Sequence, residues 1–144
     1  MRGLYIHIPF CVSKCPYCAF YSETGRDELA GGYLDALLKE AVACGRKDFD
    51  TIYIGGGTPS SIPVYNLEKF IYKLLSEINF QGKEFSIEAN PESVSDNFIN
   101  FIKNSPVSRV SLGVQSFNDE VLKLLGRIHD AARAEKCVLE LMDT

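Results

Sequence analysis

Strand and helix patterns alternate four times along this chain, and that alternation restricts the fold more than any other feature. Residues 4–8 (LYIHI) alternate as a strand. Residues 29–44 place Tyr33, Leu34, Leu37, Leu38, Ala41 and Val42 at helical spacing, with Gly45 just past the end. Residues 51–54 form a short β-branched and aromatic strand, and residues 66–78 gather Leu67, Phe70, Ile71, Leu74, Leu75 and Ile78 on one helical face. Residues 84–89 and 109–114 supply a third and a fourth strand, and helical segments at 95–103, 119–125 and 131–142 complete the pattern. Strand–helix units with short connections predict an α/β fold, a parallel sheet with right-handed crossovers and helices packed on it.

Composition closes off several other classes. The chain has 144 residues, 46% of them hydrophobic, and a net charge of −4. That suits one domain with an apolar core and excludes a disordered chain or a polybasic nucleic-acid binder. No apolar run reaches the ~18 residues of a membrane span, so no transmembrane segment is expected. The apolar stretch at residues 4–10 is short, holds His7 and runs into cysteines. It does not read as a signal peptide, so the expected location is cytoplasmic. Three of the five cysteines, Cys11, Cys15 and Cys18, fall within eight residues. An odd, clustered set without an export signal points to a metal or redox site rather than a disulfide framework.

The unusual residues sit at strand ends. Cys11, Cys15 and Cys18 follow the first strand, and Gly55-Gly56-Gly57-Thr58 follows the second. Glu88 closes the third strand and Gln115 the fourth. In parallel α/β folds the C-terminal strand ends open onto one face, which carries the active site. Four motifs, each weak alone, are thereby expected to converge.

Each motif has its own chemistry. Cys-x3-Cys-x2-Cys offers three thiolates, which suit an iron–sulfur cluster or zinc. No fourth cysteine is near, although His7 is a conceivable fourth ligand. Three thiolates alone suit a four-iron cluster with one iron left open. Cys44 and Cys137 fall within helical patterns and read as small core residues. The glycine run is either a tight turn or a loop whose backbone N–H and C=O groups meet a charged amino or carboxylate group. It is not a phosphate loop, because the Gly-Lys-Ser/Thr arrangement is missing. Glu88 can accept from ribose hydroxyls or can simply be ion-paired. Gln115 can donate and accept, or anchor its loop. Arg127 offers a fork for a carboxylate, with an ordinary surface arginine as the alternative.

Cys-x3-Cys-x2-Cys with Tyr17 before the third cysteine resembles the signature of the radical S-adenosylmethionine (radical SAM) enzymes. The strings LYIHIPFCVSKCPYCAFYS, IGGGTPSS, IEANPES, RVSLGVQSF and LGRIH narrow the resemblance. Together they are similar to the family of oxygen-independent coproporphyrinogen III oxidase and the heme chaperone HemW. The likeness runs from residue 4 to about residue 129 and into the last helix.

That resemblance implies a partial triosephosphate-isomerase-like (β/α) barrel of the radical SAM type, with about four βα units present. It implies that Cys11, Cys15 and Cys18 hold a [4Fe-4S] cluster whose fourth iron is chelated by the amino and carboxylate groups of SAM. Tyr5 and Tyr17 would be aromatic contacts to SAM. Gly56, Gly57 and Thr58 would hold its methionine end, Glu88 and Gln115 its nucleoside and neighbouring polar groups, and Arg127 its carboxylate. The implied chemistry is one-electron cleavage of SAM to methionine and a 5′-deoxyadenosyl radical. The oxidase branch resembles Cys-x3-Cys-x2-Cys-x-Cys, and Phe20 stands here at the fourth cysteine's place. This favours the chaperone branch, with heme or porphyrin, an electron donor such as a flavodoxin, and a heme-accepting respiratory protein as implied partners. A true oxidase and an inactive fragment are the alternatives. Residues 1–144 are expected to form the N-terminal part of a radical SAM core, without its last strands or a heme-associated region. About four units against the ~250 residues of a complete eight-unit barrel leave strand edges that favour association.

Overall fold

The computed structural model describes residues 1–143; Thr144, which the sequence sets directly after the last helix, lies outside them. Along the chain run β1 (Gly3–Ile8), β2 (Phe10–Cys11), β3 (Glu23–Thr24), α1 (Ala30–Ala43), β4 (Asp48–Gly56) and α2 (Val64–Glu77). They are followed by β5 (Asn79–Ala89), α3 (Asp96–Lys103), β6 (Arg109–Leu112), α4 (Asp119–Leu124) and α5 (Ala131–Met142). The main sheet has the order β1-β4-β5-β6, every pair parallel. This is the expected α/β partial barrel in chain order.

Local chemistry sets the boundaries. Gly45, at φ 69°, takes the left-handed position beyond α1. Ser95 caps α3 by accepting from the Phe98 amide at 3.2 Å. Asn118 caps α4 through the amides of Glu120 and Val121, and Asp130 caps α5 through that of Arg133. β4 and β5 are longer than their apolar cores suggested, because Asp48 and Asn79, polar at their starts, already pair.

The sheet's two faces differ. Ile6, Ile54, Ile87 and Val110 lie in one register row, and the first three are buried. With Ile8, Ile52 and Phe85 they meet Leu34 of α1, Leu67, Phe70, Ile71 and Leu74 of α2, and Phe98 and Ile102 of α3 in one core. The next row, Tyr5, Tyr53, Ser86 and Arg109, points the other way and is polar. Parallel sheets are usually apolar on both faces. Here the second face carries hydroxyls and charges instead, so it forms no second apolar core.

A small parallel pair is not legible in the sequence. β2 and β3 join Phe10 to Glu23 and Cys11 to Thr24, and the Glu23 amide donates to the Pro9 carbonyl at 2.8 Å. The cysteine segment is thus pinned at both ends. Cys137 is fully buried in the core as expected, whereas Cys44 is exposed at the C-terminal cap of α1. The expectation of a core role for Cys44 fails because the helix ends one residue before it. Among the described residues no helix is long and apolar enough to cross a membrane.

Ile87, fully buried on the inner strand β5, carries much of the core. Ile87→Ala is expected to lower unfolding stability by about 2–5 kcal/mol, read by urea denaturation.

Candidate functional site

The strand ends meet at a cavity of about 440 Å³. Cys11, Cys15, Cys18, Tyr5, Tyr17, Gly56, Gly57, Thr58, Glu88, Gln115 and Arg127 all line it. The convergence expected from strand ends therefore holds as geometry. His7 does not line it. Its Nδ1 accepts from the Tyr5 hydroxyl at 3.1 Å and its Nε2 donates to the Tyr21 carbonyl at 3.3 Å.

The glycine run is bound to the cysteine segment. The Gly57 amide donates to the Ile8 carbonyl at 2.8 Å, and the Thr58 amide to the Phe10 carbonyl at 2.7 Å. A Cβ on Gly57 would lie 2.6 Å from the Phe10 carbonyl oxygen and 2.7 Å from that of Pro9. The Gly56 amide is taken too, by Glu88 Oε2 at 3.0 Å. All three donors are thus spent inside the protein. Backbone contact from these residues to a ligand runs through carbonyl oxygens, which suit an ammonium group and not a carboxylate.

Glu88 is held on both oxygens. Tyr53 donates to Oε1 at 2.6 Å, opposite the Gly56 amide on Oε2. Gly55 makes room for this, since a Cβ there would lie 2.8 Å from the Glu88 carboxyl. Burial first, then the hydrogen bond to Glu88 and its charge, push the Tyr53 hydroxyl above its ordinary pKa. Tyr53 stacks on Tyr5, with centroids 6.0 Å apart. Thr58, 3% exposed, lies 3.5 Å from Cys11 Sγ through its Oγ1 and accepts from Asn90 Nδ2 at 2.9 Å. Gln115 takes a left-handed φ of 67°, unusual for a residue with a Cβ, and lines the cavity.

Arg127 closes the opposite side. Its Nη1 donates to Cys15 Sγ at 3.3 Å and its Nη2 to the Gly113 carbonyl at 3.1 Å and to Glu92 at 3.3 Å. Burial alone would lower its pKa, but Glu92, with help from Cys15 and Tyr17, holds it above the ordinary value. The Nε N–H is buried without an acceptor.

Several cavity residues were not singled out in the sequence. Tyr53, Asn90, Ser111, Gly113 and Lys14 line the site or support those that do. Tyr53 and Ser111 had one readable signal, a polar position alternating with buried ones in a strand.

Residues 5–144 match the Radical SAM superfamily. The chain belongs to that superfamily. It is 40% identical to the Escherichia coli heme chaperone HemW over 142 residues, covering 93% of this chain and 37% of the relative. It is 39% identical to the Lactococcus lactis heme chaperone HemW over 129 residues, covering 89% of this chain and 34% of the relative. Among solved structures, coproporphyrinogen III oxidase (HemN) from Escherichia coli, a radical SAM enzyme, superposes with a TM-score of 0.86 at 28% identity, covering 98% of this chain and 34% of that one. The chain spans little more than a third of the length of the curated relatives it matches.

Radical SAM membership implies a [4Fe-4S] cluster and SAM. The residues present fit them on three observations. Three free thiols line one cavity. A buried guanidinium N–H lacks an acceptor beside them. Tyr5, Glu88 and Gln115 line the same cavity and offer an aromatic face, a carboxylate and an amide to a nucleoside.

Because the atoms a Cβ at Gly57 would meet are backbone, they cannot swing aside. Gly57→Ala is expected to lower stability by about 1–3 kcal/mol and to shift the β2 segment, read by urea denaturation and by backbone amide shifts at Phe10 and Cys11.

Proposed function

We propose that the chain is the cluster- and SAM-binding part of a HemW-like heme chaperone. The observation that carries this is the meeting of Cys11, Cys15 and Cys18 with Arg127 at one cavity, where the guanidinium Nη1 donates to Cys15 Sγ at 3.3 Å. The identity to heme chaperones over most of the chain and Phe20 at the fourth cysteine's place support the chaperone branch. Residues 1–144 are read as part of a radical SAM core acting in the cytoplasm. Heme or porphyrin, an electron donor such as a flavodoxin, and a heme-accepting respiratory protein are the proposed partners of the whole protein.

When bound, the cluster and SAM supply a one-electron reductive cleavage of the sulfonium. The chain's own residues ligate, orient and screen. Cys11, Cys15 and Cys18 ligate the cluster as thiolates. The carbonyls near Gly56 and Gly57 meet the SAM ammonium, since the amides there are already taken. The Arg127 guanidinium, on the cavity wall, meets the SAM carboxylate. Glu88 keeps its outward lone pairs for ribose hydroxyls, because Tyr53 and Gly56 fix its two oxygens. Tyr5 and Tyr17, exposed at the rim, offer flat surfaces to the adenine. Gln115, at the cavity, can donate and accept toward the nucleoside.

Anaerobic reconstitution with iron and sulfide tests the reading. Broad visible absorbance with stoichiometric sulfide, lost in Cys11→Ala, Cys15→Ala and Cys18→Ala, is expected, and tight zinc with no sulfide uptake would refute it. Addition of SAM is expected to change the reduced cluster's electron paramagnetic resonance (EPR) spectrum, and Arg127→Ala to weaken SAM binding at least tenfold. In the whole protein, heme binding supports the chaperone branch. Decarboxylation of coproporphyrinogen III without heme binding overturns it in favour of the oxidase.

A further inference from the structure

Arg127 is held by two groups that do not line the cavity. Glu92 takes its Nη2 at 3.3 Å, and Glu92 Oε2 in turn lies 2.9 Å from His129 Nδ1. The His129 side chain is fully buried, and its Nε2 lies 3.1 Å from the Val114 carbonyl. The Arg127 side chain is only 5% exposed and Glu92's 13%. Burying three such groups is costly unless each is satisfied. The arrangement satisfies Glu92 and His129 completely, and it leaves the guanidinium with one rigid outcome. Nη2 is locked between Glu92 and the Gly113 carbonyl, so Nη1 is aimed at Cys15 Sγ, 3.3 Å away. A pair serving stability alone has no need of that aim.

A cationic donor on a thiolate favours the more negative, reduced state of the metal centre it ligates. We propose that Glu92 and His129 are positioning residues that hold the Arg127 guanidinium on Cys15, and that this contact raises the reduction potential of the cluster. The proposal rests on the reading of Cys15 as a cluster ligand. It gives Arg127 two separate tasks, its charge toward SAM and its Nη1 toward the cluster thiolate.

The test is an EPR-monitored redox titration of the full chain, reconstituted anaerobically, without SAM and with dithionite as reductant. Iron and sulfide content is measured first for each variant. Arg127→Gln removes the charge and leaves an amide two bonds short of the Nη1 that meets Cys15, and is expected to make the potential more negative. The reduction equilibrium should fall at least tenfold, about 59 mV for one electron. Glu92→Asp keeps the charge but is one methylene too short to span Arg127 and His129 together. It is expected to shift the potential in the same direction, whereas a purely electrostatic Glu92 would leave it in place. Should Glu92→Asp not load a cluster, Glu92→Ala, which removes both contacts, carries the same arm. Loss of a negative charge alone predicts a higher potential, and loss of positioning predicts a lower one. The double variant Arg127→Gln with Glu92→Asp is expected to shift no further than Arg127→Gln. Loaded variants with the wild-type potential, or a rise in Glu92→Ala, would overturn the inference. Wild-type protein that takes up no cluster would instead overturn the reading of the cysteines.

Discussion

Two backbone hydrogen bonds, Gly57 to Ile8 and Thr58 to Phe10, join the end of β4 to the start of the cysteine segment. Both ends of that contact are main chain, so neither can relax by changing a rotamer. The absence of a Cβ at Gly57 lets the two segments come this close. From there β2 leads directly into Cys11, and its pairing with β3 closes the segment on its other side. Three thiols that would otherwise sit on an open loop therefore share the rigidity of the central sheet. Thr58, buried between Cys11 and Asn90, extends the same tie to the end of β5.

The sheet reserves its second face for polar groups, and this has an energetic logic. Tyr53, Glu88 and Ser86 are supplied with partners by neighbours on the same face. Their desolvation is compensated before any ligand arrives. Stability then comes from the other face, where isoleucine, leucine and phenylalanine side chains from the strands and α1, α2 and α3 close one core. Separating the two tasks allows a polar cavity in a chain of 144 residues.

Most of this was legible in the sequence. Period-two runs and amphipathic stretches located the strands of the main sheet and the helices, because burial on one face leaves a mark on composition. The three thiols, the glycines, Glu88, Gln115 and Arg127 were found by chemistry and by their places at strand ends. Three things left no such mark. β2 and β3 are two residues each, too short for any period to show. The spending of the Gly56, Gly57 and Thr58 amides on the protein itself depends on how segments meet, which residue identity does not encode. Glu92 and His129 matter through contacts with Arg127 that arise only in three dimensions. Cys44 misled because helical spacing extends to the residue where the helix ends.

The partners at the cavity lie far apart along the chain. Cys15 and Arg127 are separated by 112 positions. At a synthesis rate of about 5–20 residues per second, the cysteines are made roughly 6–22 s before their guanidinium. During that interval the thiols have neither the cation nor the loop after β6 above them. Metal loading on the ribosome would meet the thiols without that guanidinium. Loading afterwards would meet them with the counter-charge in place. The order of synthesis and the order of cofactor insertion are therefore separate variables for this domain.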